Sequence, residues 1–294
     1  APRPVLARPA PAPGAAPRVL LEFFYDTSSP WSYLAFSRIR EVCARTGAEL
    51  SLRPVLVGGV FNVANKELYA TRDAALARAA GGAAKRRSSP AGEKGRQAPK
   101  GPSAKDIWAG RSARAWAEYL GLDIKSMLER FAARTKSGAP GHPISAVKIL
   151  RGAILAQEEG TEALVRFSFA SFDAYWGRLL DVSDDDVVRQ LHTETGLSIS
   201  ADEFMRRIDS EDVKARLRAN TEELVRRGGF GSPTMFVSRP DGPPGFEGEM
   251  HWGNDTMELV EAAVLRAQGR PWRFHDVCGV PRAQPGPRGL AEGA

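Results

Sequence analysis

Two serines, Ser29 and Ser32, stand three positions apart where an apolar run gives way to a helix-like pattern. The intervening Pro30 suits the first position of a helix, because proline loses no hydrogen bond there, and Ser29 suits the cap before it. Free backbone N–H groups and the positive end of the helix dipole favour an anion at such a terminus. A serine hydroxyl can donate a hydrogen bond to that anion, although it has no thiol for disulfide exchange. The pattern predicts an anion-stabilising site or a plain helix cap.

Three further segments carry polar side chains beside predicted strands or helices. Ser232 and Pro233 precede an apolar strand, Asn254 and Asp255 precede the last predicted helix, and Asn65 lies after a strand. Taken alone, each has a structural explanation. The proline would be an ordinary trans residue at a strand start, the Asn-Asp pair would cap the helix, and the lone asparagine would belong to a loop.

The remaining reactive side chains predict neither a metal site nor a thiol site. None of the four histidines has a carboxylate or cysteine partner at metal-ligand spacing; they are His142, His192, His251 and His275. The two cysteines, Cys43 and Cys278, lie far apart. Two isolated cysteines are more typical of a reducing compartment than of secretion. We therefore expect an intracellular protein, in the cytoplasm or in a mitochondrion, peroxisome or plastid.

The formal net charge of +6 comes from one segment. Residues 79–105 contain seven basic residues and one acid, which accounts for the whole excess. Its Gly, Pro, Ser and Lys composition cannot bury enough apolar surface to fold, so it predicts a disordered loop. No aromatic residue is interleaved with the charge, so a nucleic-acid partner is not expected. No apolar run reaches about 18 residues, and we expect no membrane partner either.

The two ends of the chain have a different composition from its middle. Residues 1–17 are mostly Ala and Pro with two arginines and no acid, which predicts a disordered leader or the remnant of a transit peptide. Residues 278–294 are rich in Gly, Pro and Arg and predict a disordered tail.

Hydrophobic periodicity between these ends predicts an α/β fold in two halves. Strands are expected at 19–25, 49–57, 234–238 and 246–252, with helices from Ser29 and over 256–268. Helical periodicity fills 106–227, its last stretch running from 200 to 227. A β-α-β half at 18–75 and a β-β-α half at 228–270 therefore flank an all-helical block. This arrangement is that of a thioredoxin fold with a large all-helical insertion.

Four motifs in this order carry a family resemblance. They are SPWSYLAF at 29–36, RPVLVGGVFNVANK at 53–66, GGFGSPTMFV at 228–237 and WGNDTMELV at 252–260. Together they resemble the DsbA-like thioredoxin family over residues 18–270, in its branch of kappa-class glutathione transferases and 2-hydroxychromene-2-carboxylate isomerases. Redox members carry cysteines where Ser29 and Ser32 stand here.

The resemblance implies glutathione as cofactor and assigns roles to the polar residues. Ser29 matches the serine that stabilises the glutathione thiolate and is the expected catalytic residue. The expected glutathione-binding residues are Pro30, Trp31, Asn65, Ser232, Pro233 (as a cis-proline), Asn254 and Asp255. One departure is Thr256, which stands where the family has arginine.

The resemblance thus implies a glutathione-dependent transferase or isomerase that acts on a small electrophilic substrate. A homodimer is a possible assembly of the protein. One alternative is a DsbA-like disulfide oxidoreductase. That chemistry lacks a thiol pair, since Cys43 is 14 residues along the helix, about 21 Å from Ser29. The other alternative is a non-catalytic protein that binds glutathione or peptides.

Overall fold

The computed structural model describes residues 18–64, 104–126, 129, 145–243 and 245–270. The predicted leader, the tail and Asn65 lie outside these residues. The predicted basic loop also lies outside them, apart from its last two positions, where a helix begins at Ala104.

Four strands form one mixed sheet in the order β2-β1-β3-β4. They are β1 Leu20–Tyr25, β2 Glu49–Pro54, β3 Thr234–Ser238 and β4 Glu249–Trp252. β1 pairs with β2 in parallel, whereas the β1–β3 and β3–β4 pairs are antiparallel. The parallel crossover is made by a helix, as parallel neighbours require. This topology confirms the predicted thioredoxin fold.

The helices surround this sheet. They are α1 Pro30–Thr46, α2 Val57–Ala64, α3 Ala104–Leu120, α4 Val147–Ala156, α5 Thr161–Trp176, α6 Asp185–Thr195, α7 Ala201–Ile208, α8 Glu211–Arg226 and α9 Met257–Ala267. Short 3-10 turns cover Gln157–Glu159 and Asn254–Thr256. Helices α3 to α8 lie between β2 and β3 in the chain, which confirms the helical insertion.

Alternation along the strands builds two cores, one on each face of the sheet. Phe23 and Tyr25 point into the large core, which α1, α5 and α9 also line. Phe24, between them in sequence, points to the other face and packs with Phe236 at a ring-centroid distance of 5.7 Å. A strand sends successive side chains to opposite faces, so β1, in which Phe23, Phe24 and Tyr25 follow one another, must be covered on both.

Three predicted boundaries were wrong. The strand expected to reach residue 57 ends at Pro54, because the backbone N–H of Val57 donates to the Asp26 carboxylate and opens α2. The strand expected to begin at 246 begins at Glu249. The single helix expected over 200–227 is divided, because Ser210 is extended (φ −73°, ψ 151°) and its hydroxyl donates to Arg207.

Candidate active site

Ser29 ends a tight turn and caps α1. Its backbone N–H donates to the carbonyl of Asp26 (3.0 Å), and its φ of −98° and ψ of 118° are non-helical, as an N-cap requires. Its hydroxyl oxygen accepts the backbone N–H of Ser32 at 3.2 Å. The cap interpretation of Ser29 is therefore correct. The second role predicted for Ser29 depends on what else its hydroxyl can reach.

The hydroxyl of Ser29 also reaches the other half of the fold. It donates to the backbone carbonyl of Ser232 at 2.9 Å. The peptide bond between Ser232 and Pro233 is cis, as predicted. The hydroxyl of Ser232 lies 2.7 Å from that of Ser32 and accepts the backbone N–H of Asp26 at 2.8 Å. The two serines at the ends of the SPWS motif thus meet at a third, which precedes the cis-proline.

Asp26 is a buried member of this site to which the sequence analysis gave no role. One carboxylate oxygen accepts the backbone N–H and the hydroxyl of Ser28, each at 2.7 Å. The other oxygen accepts the backbone N–H of Val57, also at 2.7 Å. Burial raises the pKa of Asp26, and the hydrogen bonds from Val57 and Ser28 oppose that rise. Asp26 ties the turn before α1 to the start of α2. In the sequence, Asp26 could have been noticed as a single acid between an apolar strand and a run of hydroxyl-bearing residues.

Two backbone donors at this site are available to a ligand. In the part of the chain that the structure describes, the N–H groups of Trp31 and Ser232 make no hydrogen bond within the protein. Trp31 is the second residue of α1, where the helix dipole adds positive potential. Ser232 presents this N–H beside the cis bond, next to the C=O that accepts the Ser29 hydroxyl, and the two are the groups with which a strand edge pairs.

Asn254 and Asp255 stand at the start of the turn before α9. Asn254 is 1% exposed, whereas Asp255 is exposed, and the Asn254 amide donates to the Asp255 carboxylate at 3.4 Å. The alternative that they cap α9 was wrong, because no side chain caps that helix. The exposed carboxylate of Asp255 is instead free to contact a ligand.

An exposed aromatic pair borders the cis-proline loop. Phe230 and Trp252 are 40% and 50% exposed, and their ring centroids are 5.1 Å apart. A Cβ atom at Gly231 would lie 2.5 Å from the indole nitrogen of Trp252, so only glycine lets the indole lie against this backbone. The pair puts a flat apolar surface next to the segment that ends at Ser232.

The other reactive groups do not enter this site. Burial raises the pKa of Cys43 to about 11, so its thiol stays protonated at neutral pH. No group of three or more His, Cys, Asp or Glu side chains in the described ranges could hold a metal ion. Among the helices that the structure describes, none is long and apolar enough to cross a membrane.

Comparison with known proteins finds two enzymes that are similar to this chain in sequence. The chain is 24% identical over 248 residues to glutathione S-transferase kappa 1 from Rattus norvegicus, covering 84% of this chain and 91% of the relative. It is also 24% identical over 251 residues to 2-hydroxychromene-2-carboxylate isomerase from Sphingobium xenophagum, covering 83% and 97%.

Solved structures show the same fold. A 2-hydroxychromene-2-carboxylate isomerase superposes with a TM-score of 0.54 at 19% identity, covering 84% of this chain and 95% of its own. A probable DsbA oxidoreductase from Streptomyces coelicolor superposes with a TM-score of 0.57 at 17% identity, covering 94% and 100%.

The model of the DSBA-like thioredoxin domain family matches residues 111–265, more than half of the chain. The match runs from α3 through the cis-proline loop to α9. The chain belongs to the DsbA-like thioredoxin family.

Proposed function

We propose that this protein is a glutathione-dependent enzyme, a transferase or an isomerase, that uses the Ser29 hydroxyl to stabilise the glutathione thiolate. The observation that carries the proposal is the hydrogen bond from Ser29 to the carbonyl of Ser232. It places a hydroxyl donor, the N-terminus of α1 and the strand-like edge beside the cis-proline at one point. An anionic sulfur attached to a peptide is the ligand that uses all three.

Glutathione is a peptide with a thiol in its middle residue, so its ends are expected to bind on either side of Ser29. Its cysteinyl backbone would pair with the free N–H and the C=O of Ser232, as a strand pairs with a sheet edge. Its γ-glutamyl amino group would bind the exposed carboxylate of Asp255, with Asn254 beside it. Asn65, which lies outside the described residues, remains an expected glutathione-binding residue.

Binding then changes the partner of the Ser29 hydroxyl. In the described structure the hydroxyl donates to Ser232, whose carbonyl is therefore occupied. A glutathione N–H that takes over this carbonyl would release the hydroxyl, and rotation about one side-chain bond turns it towards the sulfur. The N–H of Trp31 points into the same helix terminus. Two donors and the helix dipole would hold the thiolate and lower its pKa.

The chemical step follows from a stabilised thiolate beside an apolar surface. The sulfur lone pair forms a carbon–sulfur bond to an electrophilic carbon, and the displaced electron pair moves onto the substrate or its leaving group. In a transferase the conjugate departs. In an isomerase a bond of the adduct rotates, the carbon–sulfur bond breaks again and glutathione leaves unchanged. Phe230 and Trp252 provide the exposed apolar surface on which a small electrophile could lie.

Two other functions compete with this proposal. A disulfide oxidoreductase needs a redox-active thiol, and the positions that would carry it are Ser29 and Ser32. A non-catalytic glutathione-binding protein is favoured by one observation: the Ser29 hydroxyl already has partners in Ser232 and the Ser32 N–H. The second alternative differs from the proposal in one measurable respect, the ionisation of the bound thiol.

Ultraviolet absorbance of the thiolate, recorded while the glutathione complex is titrated with base, tests the proposal. We expect the bound thiol to ionise well below the pKa of a free thiol, about 8.5. If the bound thiol titrates like free glutathione, the protein binds glutathione without activating its thiol, which favours the non-catalytic alternative. A panel of electrophiles, assayed for conjugation and for isomerisation, then separates the two reactions.

A further inference from the structure

Arg38, on α1, joins three elements of the fold at the residue before Asp255. One guanidinium nitrogen lies 3.3 Å from both the backbone oxygen and the side-chain oxygen of Asn254. A second nitrogen donates to the carboxylate of Glu258, on α9. The guanidinium carbon lies 4.9 Å from the ring centroid of Trp116, on α3. The side chain of Arg38 is 17% exposed, so these contacts take up most of its surface.

These contacts decide which way the Asn254 amide faces. A guanidinium has donors only, so the amide must turn its oxygen towards Arg38. The amide nitrogen then faces the Asp255 carboxylate, to which it donates at 3.4 Å. If the amide flipped, its oxygen would face that carboxylate and its nitrogen would face the guanidinium, and both contacts would be repulsive. Asn254 is 1% exposed, so water cannot compensate.

We propose that Arg38 is a positioning residue for the γ-glutamyl end of glutathione. It acts by orienting Asn254, whose amide nitrogen fixes the exposed carboxylate of Asp255 for the γ-glutamyl amino group. This inference rests on the proposed function, since it assigns a role within that same site. Arg38 itself does not contact the ligand in this scheme.

Arg38 is in turn held from two sides. Its ion pair with Glu258 anchors the guanidinium to the first turn of α9, and Trp116 covers one of its faces. A guanidinium over an indole ring is a favourable contact. Trp116 belongs to the helical insertion, so the insertion supports the glutathione site through this stack although it supplies none of the predicted glutathione ligands.

Arg38→Met in the full chain tests the inference, because methionine can still pack on Trp116 but donates no hydrogen bond. The probes are glutathione and the dipeptide Cys-Gly, which lacks the γ-glutamyl group. We expect the variant to bind glutathione about tenfold more weakly, because the γ-glutamyl amino group loses one charge-assisted hydrogen bond to the displaced Asp255 carboxylate. We expect it to bind Cys-Gly as before. Correspondingly, KM for glutathione rises while kcat at saturating glutathione is unchanged.

The chain offers a matched control in Arg45→Met. Arg45 also joins α1 to α9, through two hydrogen bonds to Glu261 at 3.0 and 2.7 Å, but it does not touch Asn254. We expect its loss to leave the ratio of glutathione to Cys-Gly affinity unchanged. If Arg45→Met changes that ratio as much as Arg38→Met does, the inference is overturned, because any ion pair between α1 and α9 would then support the γ-glutamyl site.

A second variant covers the case in which Arg38→Met does not fold. Arg38→Lys keeps the charge but cannot donate to Asn254 and Glu258 from a planar fork, so its affinity ratio should fall between wild type and Arg38→Met. If the Arg38 variants lose affinity for glutathione and Cys-Gly equally, or for neither, the positioning role is overturned while the proposed function stands. A wild type that binds Cys-Gly as tightly as glutathione removes the γ-glutamyl site of the proposed function, and this inference with it.

Discussion

The hydroxyl of Ser29 and the carbonyl of Ser232 are hydrogen-bonded at 2.9 Å although the residues are 203 positions apart in the chain. One residue opens the first helix and the other precedes the cis-proline before β3. The helical insertion lies between them in sequence. Docking of the two halves of the thioredoxin fold on each other is therefore what brings the hydroxyl to the peptide edge.

Replacement of Ser29 by alanine should reduce turnover more than glutathione binding. Removing one donor to a developing anion typically costs about 10²–10³ in rate, while the contacts proposed for Ser232 and Asp255 survive. Steady-state kinetics and glutathione titration measure the two effects. Ser37→Ala is a suitable control, since Ser37 lies on α1 and, among the described residues, its hydroxyl donates to the carbonyl of Leu34 within the same helix. Equal losses of rate and affinity in Ser29→Ala would mean that Ser29 is structural.

Replacement of Asp26 by asparagine should destabilise the site, although the two side chains have the same shape. Both carboxylate oxygens of Asp26 accept hydrogen bonds, so one side of an amide would turn its NH2 towards a donor from Ser28 or Val57. A buried donor left unpaired costs about 1–3 kcal/mol. Burial of the charge acts in the opposite direction, because it raises the pKa of Asp26.

Urea unfolding decides which of these two effects on Asp26 is larger. We expect the disrupted hydrogen bonding to outweigh the relief from burying a charge, so the urea midpoint of Asp26→Asn should lie below that of wild type. Asp184→Asn is the matched control, because Asp184 caps α6 through one oxygen only and asparagine caps equally well. A midpoint for Asp26→Asn at or above that of wild type would show that desolvation of the carboxylate outweighs its three hydrogen bonds.

The sequence predicted the fold and the grouping of several site residues, but not the contacts within the site. The four expected strands are present, and buried side chains in β1, β2 and β3 account for their apolar signal. The Ser-Pro signal located the start of α1, because proline is confined to few helical positions. Asp26 and Arg38 were missed because the roles of their side chains depend on partners far along the chain, Val57 and Asn254. No local pattern records such a partner.

Trp252→Ala should impair the reaction with aromatic electrophiles selectively. The exposed indole offers a planar face, and loss of an aromatic stacking partner should raise KM for an aromatic electrophile about tenfold. KM for a small aliphatic electrophile and the affinity for glutathione should change little. Tyr119→Ala serves as control, since Tyr119 is 80% exposed on α3 and does not border the cis-proline loop. Equal effects on both classes of electrophile would exclude Trp252 from substrate selection.

His251 should make the protein less stable in mild acid. Burial lowers the pKa of His251 below its usual 6.5, which Arg266 reinforces and Glu249 opposes. Its ring nitrogen lies 3.4 Å from the Glu249 carboxylate without making a hydrogen bond. Below about pH 6.5 the unfolded chain therefore binds a proton that the folded chain resists, so stability falls as the pH drops through that window.

Urea unfolding of wild type and His251→Gln at about pH 8 and about pH 5 measures this effect, since only wild type carries the histidine. We expect wild type to lose more stability on acidification than His251→Gln does. Glu249→Gln provides a second check, because removal of the carboxylate that raises the His251 pKa should increase the acid loss. If His251→Gln loses as much stability as wild type, His251 takes up its proton as readily in the folded protein as in the unfolded chain. The acid sensitivity would then come from carboxylates other than the buried Asp26, whose raised pKa favours the folded state at low pH and so acts in the opposite direction.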